Sequence, residues 1–254
     1  MTEDLISLIA LYTFDFSLMC MFAGVLYFAL ERNSMALEYK MVATLAAVVA
    51  FVAGMSYWQM IQLVSESVDA RVFLVDFPTH YRYIDWLITT PMLLLMIPLL
   101  LGIKKELAGV MTGLVIADVI MILAGYAGEL QLNSEDPNMA IAWGGFIIAM
   151  FAFVYILFTL YAALSSYSAK QSPEIRSALN SLRLFIVLGW LIYPLGYFIA
   201  LFGASDEMKI MREIIYCIAD VVTKIGFGMV AVHAAKTASI VWVNDKTPTS
   251  SSSS

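Results

Sequence analysis

One lysine and three other ionisable residues stand where charge is expensive. Asp220 and Lys224 lie four residues apart in a long apolar stretch, so on a helix they share a face about one turn apart. Arg82 and Asp85 lie three apart at the start of another apolar stretch and share a face as well. None of these groups can stay charged alone in the middle of a hydrocarbon layer. The simplest arrangement sets Lys224 against one carboxylate from each stretch, with Arg82 beside them. A purely structural ion network would satisfy these charges. A second reading uses the amine itself, which can condense with an aldehyde cofactor to a Schiff base. The protonated nitrogen would still need counterions, and Asp85 and Asp220 could supply them.

An elongated apolar cofactor would need aromatic walls. Trp86 follows Asp85 directly, and Tyr193, Pro194 and Tyr197 stand three, four and seven residues after Trp190. Such a stripe alone is ordinary core packing; opposite a buried lysine it reads as a binding wall. Asp118 is a further acid inside an apolar run. Cys20 and Cys217 sit in separate apolar stretches and read as free thiols. His80 and His233 are too far apart in sequence to suggest a metal site.

These residues need elements to position them, and the composition says which. Of the 254 residues 61% are hydrophobic and 13% charged, and mean hydropathy is +0.84. A soluble domain is about 45–50% apolar and about 25% charged, so hydrocarbon must be part of the solvent. Net charge is -6 and no basic patch suggests nucleic acid. Seven stretches are long enough to span a bilayer: Leu8–Leu30, Met41–Leu63, Tyr83–Leu101, Leu107–Tyr126, Ala140–Leu164, Leu182–Phe202 and Ile214–Ala235. Short connections make successive spans antiparallel neighbours. The expected fold is an all-α integral membrane protein, a seven-transmembrane-helix bundle formed by residues 1–240. Residues 241–254 read as a disordered Ser/Thr-rich tail. No basic region precedes the first apolar run, which is therefore expected to be retained as a span.

Charge predicts orientation. Arg32, Lys40, Lys104, Lys105, Lys170, Arg176, Arg183, Lys236 and Lys246 fall on one side, against Arg71, Arg82, Lys209 and Arg212 on the other. The richer side should be cytoplasmic, which puts the N-terminus outside and the C-terminus inside a cell membrane.

Three segments carry a family resemblance. Arg82-Tyr83-Ile84-Asp85-Trp86-Leu87-Ile88-Thr89-Thr90-Pro91 resembles the third helix of microbial rhodopsins. Gly189-Trp190-Leu191-Ile192-Tyr193-Pro194-Leu195-Gly196-Tyr197 resembles their sixth helix, in the proteorhodopsin branch. Asp220-Val221-Val222-Thr223-Lys224 is similar to their retinal-binding motif on the seventh. Glu31-Arg32, Gly125-Tyr126-Ala127-Gly128-Glu129 and Ala142-Trp143 echo the same branch.

The resemblance implies all-trans retinal, covalently held on Lys224 as a protonated Schiff base. It makes Asp85 the primary counterion and first proton acceptor and Asp220 the second counterion. Arg82 would lie outward of them, and Thr89 would hydrogen-bond to Asp85. Trp86, Trp190 and Tyr193 would sandwich the polyene, with Pro194 and Tyr197 completing the wall. Thr90 and Asp118 would link two helices, with Asp118 protonated and structural. Leu93 stands at a colour-tuning position, where an apolar residue fits green-type absorption. Each charged form of the Lys224 nitrogen and Asp85 stabilises the other. Light-driven isomerisation would turn the N–H away, weaken the pair and let the proton pass to Asp85.

Asp85 and Thr89 match outward proton pumps of the family, not its anion or sodium pumps, and retention of Asp220 argues against inward pumping. Met96, eleven residues after Asp85, departs from the pattern. Outward pumps place a carboxylic proton donor there, and methionine cannot donate a proton. Ser56 departs too, standing where proteorhodopsins carry a histidine. His233, nine residues past Lys224, falls on the opposite helix face. Glu129 could tune proton release or simply end the fourth helix at the outer surface, and the second is the expectation. The expected function is therefore not enzymatic: a light-driven outward proton pump with slow reprotonation. The alternative is a photosensor signalling through a separate partner protein, since no transducer helices follow the seventh span. A light-gated channel is a weaker third reading. The family also implies a homo-oligomer in the lipid bilayer; a carotenoid antenna or a transducer stays open.

Overall fold

The computed structural model describes residues 2–67, 69–101, 108–132, 134, 136–169 and 171–246. Lys104, Lys105 and Lys170, and the tail from residue 247, lie outside the described residues. So does the side chain of Lys246.

Among the described residues all regular structure is helical. The elements are α1 (Thr2–Glu31), a 3-10 turn (Arg32–Ser34), α2 (Lys40–Glu66), α3 (Ala70–Val75), α4 (His80–Leu100), α5 (Ala108–Leu132) and α6 (Met139–Ser168). They continue with α7 (Pro173–Leu184), α8 (Trp190–Ala200), α9 (Asp206–Asp220) and α10 (Phe227–Lys246). π-helical segments Phe185–Gly189 and Val221–Gly226 join α7 to α8 and α9 to α10. The sixth and seventh spans are thus each continuous. Seven helices among the described residues are long and apolar enough to cross a membrane, and the chain is a multi-pass membrane bundle.

The helices outrun the apolar runs seen in the sequence. The sixth span starts at Pro173, nine residues before Leu182. Ser172 caps it by accepting from the Ile175 N–H, Pro173 fills the first turn and Glu174 faces the helix dipole. Only one face of α7 is apolar, burying Ile175, Leu179 and Leu182, so an averaged apolar window misses it. At the other end Ser205 caps α9, and Glu207 in its first turn pairs with Arg71 of α3 at 3.0 Å. The last helix runs to Lys246, beyond the boundary at residue 240 expected from the sequence.

The spans pack as a closed ring in chain order. α1 lies on α2, α2 on α4, α4 on α5 and α5 on α6; the seventh span returns to α1 while also touching α2 and α4. This central contact brings Lys224 to the third span. Polarity is inverted relative to a soluble domain. Met19, Leu26, Phe151, Phe158 and Phe202 are exposed, whereas Arg82, Asp85, Asp118, Glu129, Glu213, Asp220 and Lys224 are buried. Only hydrocarbon satisfies the first set, and only mutual pairing the second.

α5 and α6 cross at their backbones. A Cβ on Gly145 would stand 2.8 Å from Gly128 Cα, and one on Gly128 would meet Tyr197 Oη and the Ala142 carbonyl. Such small-residue contacts let membrane helices approach closely. Gly145→Val is expected to destabilise the bundle by about 1–3 kcal/mol, the usual cost of overpacking. Loss of helical circular dichroism on heating the detergent-solubilised protein measures it; an unchanged transition would contradict the crossing.

Candidate functional site

The third span presents an inward stripe of Arg82, Asp85, Trp86, Thr89, Thr90, Leu93 and Met96, all buried. Pro91 interrupts its hydrogen-bond ladder from within. The seventh span presents Glu213, Cys217, Asp220 and Lys224 at spacings of four, three and four, again all buried. Lys224 belongs to the π-helical turn, a widened geometry frequent at functional sites. Facing that turn is Gly189 of the other π-helical segment, where a Cβ would run into the Thr223 side chain.

Lys224 Nζ lies 2.9 Å from Asp85 Oδ2 and 2.7 Å from Asp220 Oδ1. Asp220 is held from two sides: Tyr57 Oη donates to Oδ2 at 2.9 Å and Tyr193 Oη to Oδ1 at 2.6 Å. The four residues grouped from spacing do meet, but unevenly. Arg82 comes within 3.8 Å of Asp220, and its short contact is to Glu213 Oε2 at 2.8 Å. Thr89 lies one turn beyond Asp85 and donates to its main-chain carbonyl at 2.9 Å. A threonine within a helix finds the carbonyl one turn back, while the Asp85 carboxylate turns to Lys224. Thr90 Oγ1 contacts Trp86 O at 2.7 Å and Asp118 Oδ2 at 2.8 Å, joining α4 to α5.

A cavity opens beside Lys224. Its walls include Trp86, Thr90 and Leu93 from α4, Met121 and Gly125 from α5, and Phe146 and Phe153 from α6. Trp190, Tyr193, Pro194 and Tyr197 of α8 close the remaining side. Trp86, Tyr193 and Tyr216 form a ring cluster with centroids 4.9–6.0 Å apart. Asp118 is not on the lining; it stands behind Thr90, fully buried.

Sequence reasoning passed over several participants. Tyr57 gave no signal, being one tyrosine in an apolar run. Glu213 did give one, because it precedes Asp220 by two turns on the same face; it was lost by starting the seventh span at Ile214. Glu129, expected to end a helix at the surface, is buried and accepts from Tyr83 Oη at 2.7 Å while pairing with Arg212 at 3.0 Å. Two hydrogen-bonding neighbours from other helices draw it inward. His233 is exposed, away from Lys224. Met96 is fully buried in the large apolar cluster that also includes Leu93, Ile97, Leu179 and Phe227. Ser56 is buried as well.

An inward lysine between two carboxylates, beside an aromatic cavity in a seven-helix bundle, defines the class: a membrane bundle with a buried amine at the wall of an apolar pocket. A family profile described as bacteriorhodopsin-like protein matches residues 10–238, and the chain belongs to that family, the microbial rhodopsins. It is 31% identical over 215 residues to the green-light absorbing proteorhodopsin of Gamma-proteobacterium EBAC31A08, covering 84% of this chain and 81% of the relative. The crystal structure of Exiguobacterium sibiricum rhodopsin superposes with a TM-score of 0.81 at 42% identity, over 92% of this chain and 99% of the other. Xanthorhodopsin, titled a light-driven ion pump with dual chromophore, superposes with a TM-score of 0.82 at 27% identity, over 94% and 96% of the two chains.

The family implies retinal, and the residues present fit it. A long polyene suits walls of Trp86, Trp190 and Tyr193, and its aldehyde carbon needs a buried amine such as Lys224. Thr90→Val should remove the hydrogen-bond partner of the buried Asp118 carboxyl and lower stability by about 1–3 kcal/mol. Thermal unfolding in detergent checks this; a wild-type transition temperature would show that the α4–α5 link contributes nothing.

Proposed function

We propose that this protein is a light-driven outward proton pump with retinal covalently bound at Lys224. The observation that supports it best is the Lys224 nitrogen held between Asp85 and Asp220 at 2.9 and 2.7 Å beside an aromatic cavity. Retinal, when bound, supplies light absorption and an isomerisation that displaces the Lys224 nitrogen. The protein's residues do the rest. Asp85 and Asp220 hold the proton on that nitrogen in the dark, since each charge stabilises the other. When the pairing weakens, Asp85 is the acceptor, because its carboxylate is engaged by Lys224 alone among ion pairs of the described residues. Asp220 stays ionised, held by two tyrosine hydroxyls and Arg82. Trp86, Trp190 and Tyr193 confine the chromophore, with Leu93, Pro194 and Tyr197 completing the walls. Asp118 is protonated and structural. A hydroxyl has one hydrogen, so Thr90 can give it to the Trp86 carbonyl while Asp118 donates in return.

The polar chain runs from Asp85 toward the α9 end. Toward α10, Met96 belongs to a buried apolar cluster that also holds Leu93, Ile97 and Phe227. We assign the α9 end to the outside, with the N-terminus outside and the C-terminus cytoplasmic, because basic residues concentrate at the opposite end. Xanthorhodopsin's description as a light-driven ion pump supports transport. With Met96 at the inner position, reprotonation of Lys224 draws on bulk water and is slow.

Illumination of cells expressing the protein with retinal is expected to acidify the medium, an effect abolished by a protonophore and absent in Lys224→Ala, which should form no covalent pigment. Unchanged external pH with an intact photocycle would reject pumping in favour of a photosensor, and alkalinisation would mean inward transport. Met96→Glu should shorten the lifetime of the deprotonated state in flash spectroscopy and weaken its dependence on cytoplasmic pH. No change in either would remove Met96 from the return path.

A further inference from the structure

Glu213 has no part in the roles assigned so far, yet it is fully buried and is the principal partner of Arg82. Arg82 Nε and a terminal guanidinium nitrogen both point at Glu213 Oε2, at 2.9 and 2.8 Å. The other terminal nitrogen meets Tyr57 Oη at 3.4 Å and approaches Asp220 only to 3.8 Å. Among the described residues no ion pair joins Arg82 to Asp85. Glu213 is itself anchored from outside. Its Oε1 accepts from Arg212 Nε at 3.2 Å, and Arg212 pairs with Glu129 at 3.0 Å, which Tyr83 Oη also engages. The guanidinium is boxed by the rings of Phe14, Tyr57, Phe77 and Tyr216, 5.4–5.8 Å from their centroids.

We propose that Glu213 is a positioning residue for the Lys224 proton transfer: it holds Arg82 on the far side of the counterions and offsets its charge. Asp85 and Asp220 then face the Lys224 nitrogen with nearly undiminished negative charge. This rests on the retinal-based reading above. Without the Glu213 carboxylate, Arg82 loses its closest anion, and the next one within reach is Asp220. A guanidinium drawn inward weakens both counterions, with two consequences. The counterions favour the ground state, where positive charge is concentrated at the nitrogen, so weakening them moves absorption to longer wavelength. Asp85 also becomes a poorer proton acceptor, since a nearby cation stabilises its ionised form.

The test uses the purified, retinal-loaded protein and reads the absorption maximum and the rate at which the deprotonated state forms after a flash. Glu213→Gln is expected to shift the maximum to the red and to slow that step roughly tenfold, the effect of raising its barrier by about 1.4 kcal/mol. Glu213→Asp, which keeps the charge on a shorter arm, should shift the maximum less. In an Arg82→Gln background, Glu213→Gln should move the maximum far less than in the native protein, because the effect runs through the arginine. An unchanged maximum and rate in Glu213→Gln would overturn the proposal. Equal shifts with and without Arg82 would also overturn it, since Glu213 would then act directly. If Glu213→Gln alone assembles no pigment, the Glu213→Asp variant decides, and an unshifted maximum there counts against the proposal. Failure of the pumping reading would show separately, as unchanged external pH in the native protein, and leaves the absorption comparison intact.

Discussion

A charged lysine can lie in the middle of this bundle only because two carboxylates touch it. The Lys224 nitrogen has Asp85 and Asp220 at hydrogen-bonding distance, and all three are nearly inaccessible. Removing one member of a buried ion pair leaves an uncompensated charge, at a cost of about 3–5 kcal/mol. The rest of the architecture serves that contact. The seventh span must touch the third, the π-helical turn must present Lys224 inward, and Tyr57 and Tyr193 must hold Asp220 in place.

One cation between two anions leaves an excess negative charge, and the next cation along the network is Arg82, 3.8 Å from Asp220. Arg82 in turn engages Glu213, Glu213 engages Arg212, and Arg212 engages Glu129. Charges therefore alternate outward from Lys224 in steps of about one contact each. Among the described residues no such chain of ion pairs continues in the other direction, where Leu93, Met96, Ile97, Leu179, Ile186 and Phe227 belong to a buried apolar cluster. The Lys224 nitrogen thus has polar groups on one side and an apolar cluster on the other. In the proposed pump that asymmetry would give proton transfer its direction.

Much of this was legible in the chain before any coordinates. The seven spans follow from runs of apolar residues, because hydrocarbon penalises every unpaired backbone group and only helices satisfy them all locally. Asp85, Asp220 and Lys224 stood out for the same reason, as ionisable groups in those runs. Helix ends were less visible. α7 and the start of α9 are amphipathic and extend beyond the apolar windows. Glu213 sat just past such an end and was overlooked, Arg212 counted only as a charge beside the span, and Glu129 looked like a surface residue. Their burial depends on partners from other helices, which no local window contains.

The sequence by itself therefore determined the solvent, the helix count, the lysine and its two acids, and the aromatic wall, because each is written in residue type and helical spacing. Only the tertiary structure decided how the charges pair. Arg82 lies three residues from Asp85 yet turns to Glu213 of the seventh span, and the Asp85 carboxylate turns to Lys224. Spacing places two groups on a common face, but the partner each one takes depends on which group from another helix comes nearest. That is set by the packing of the whole ring.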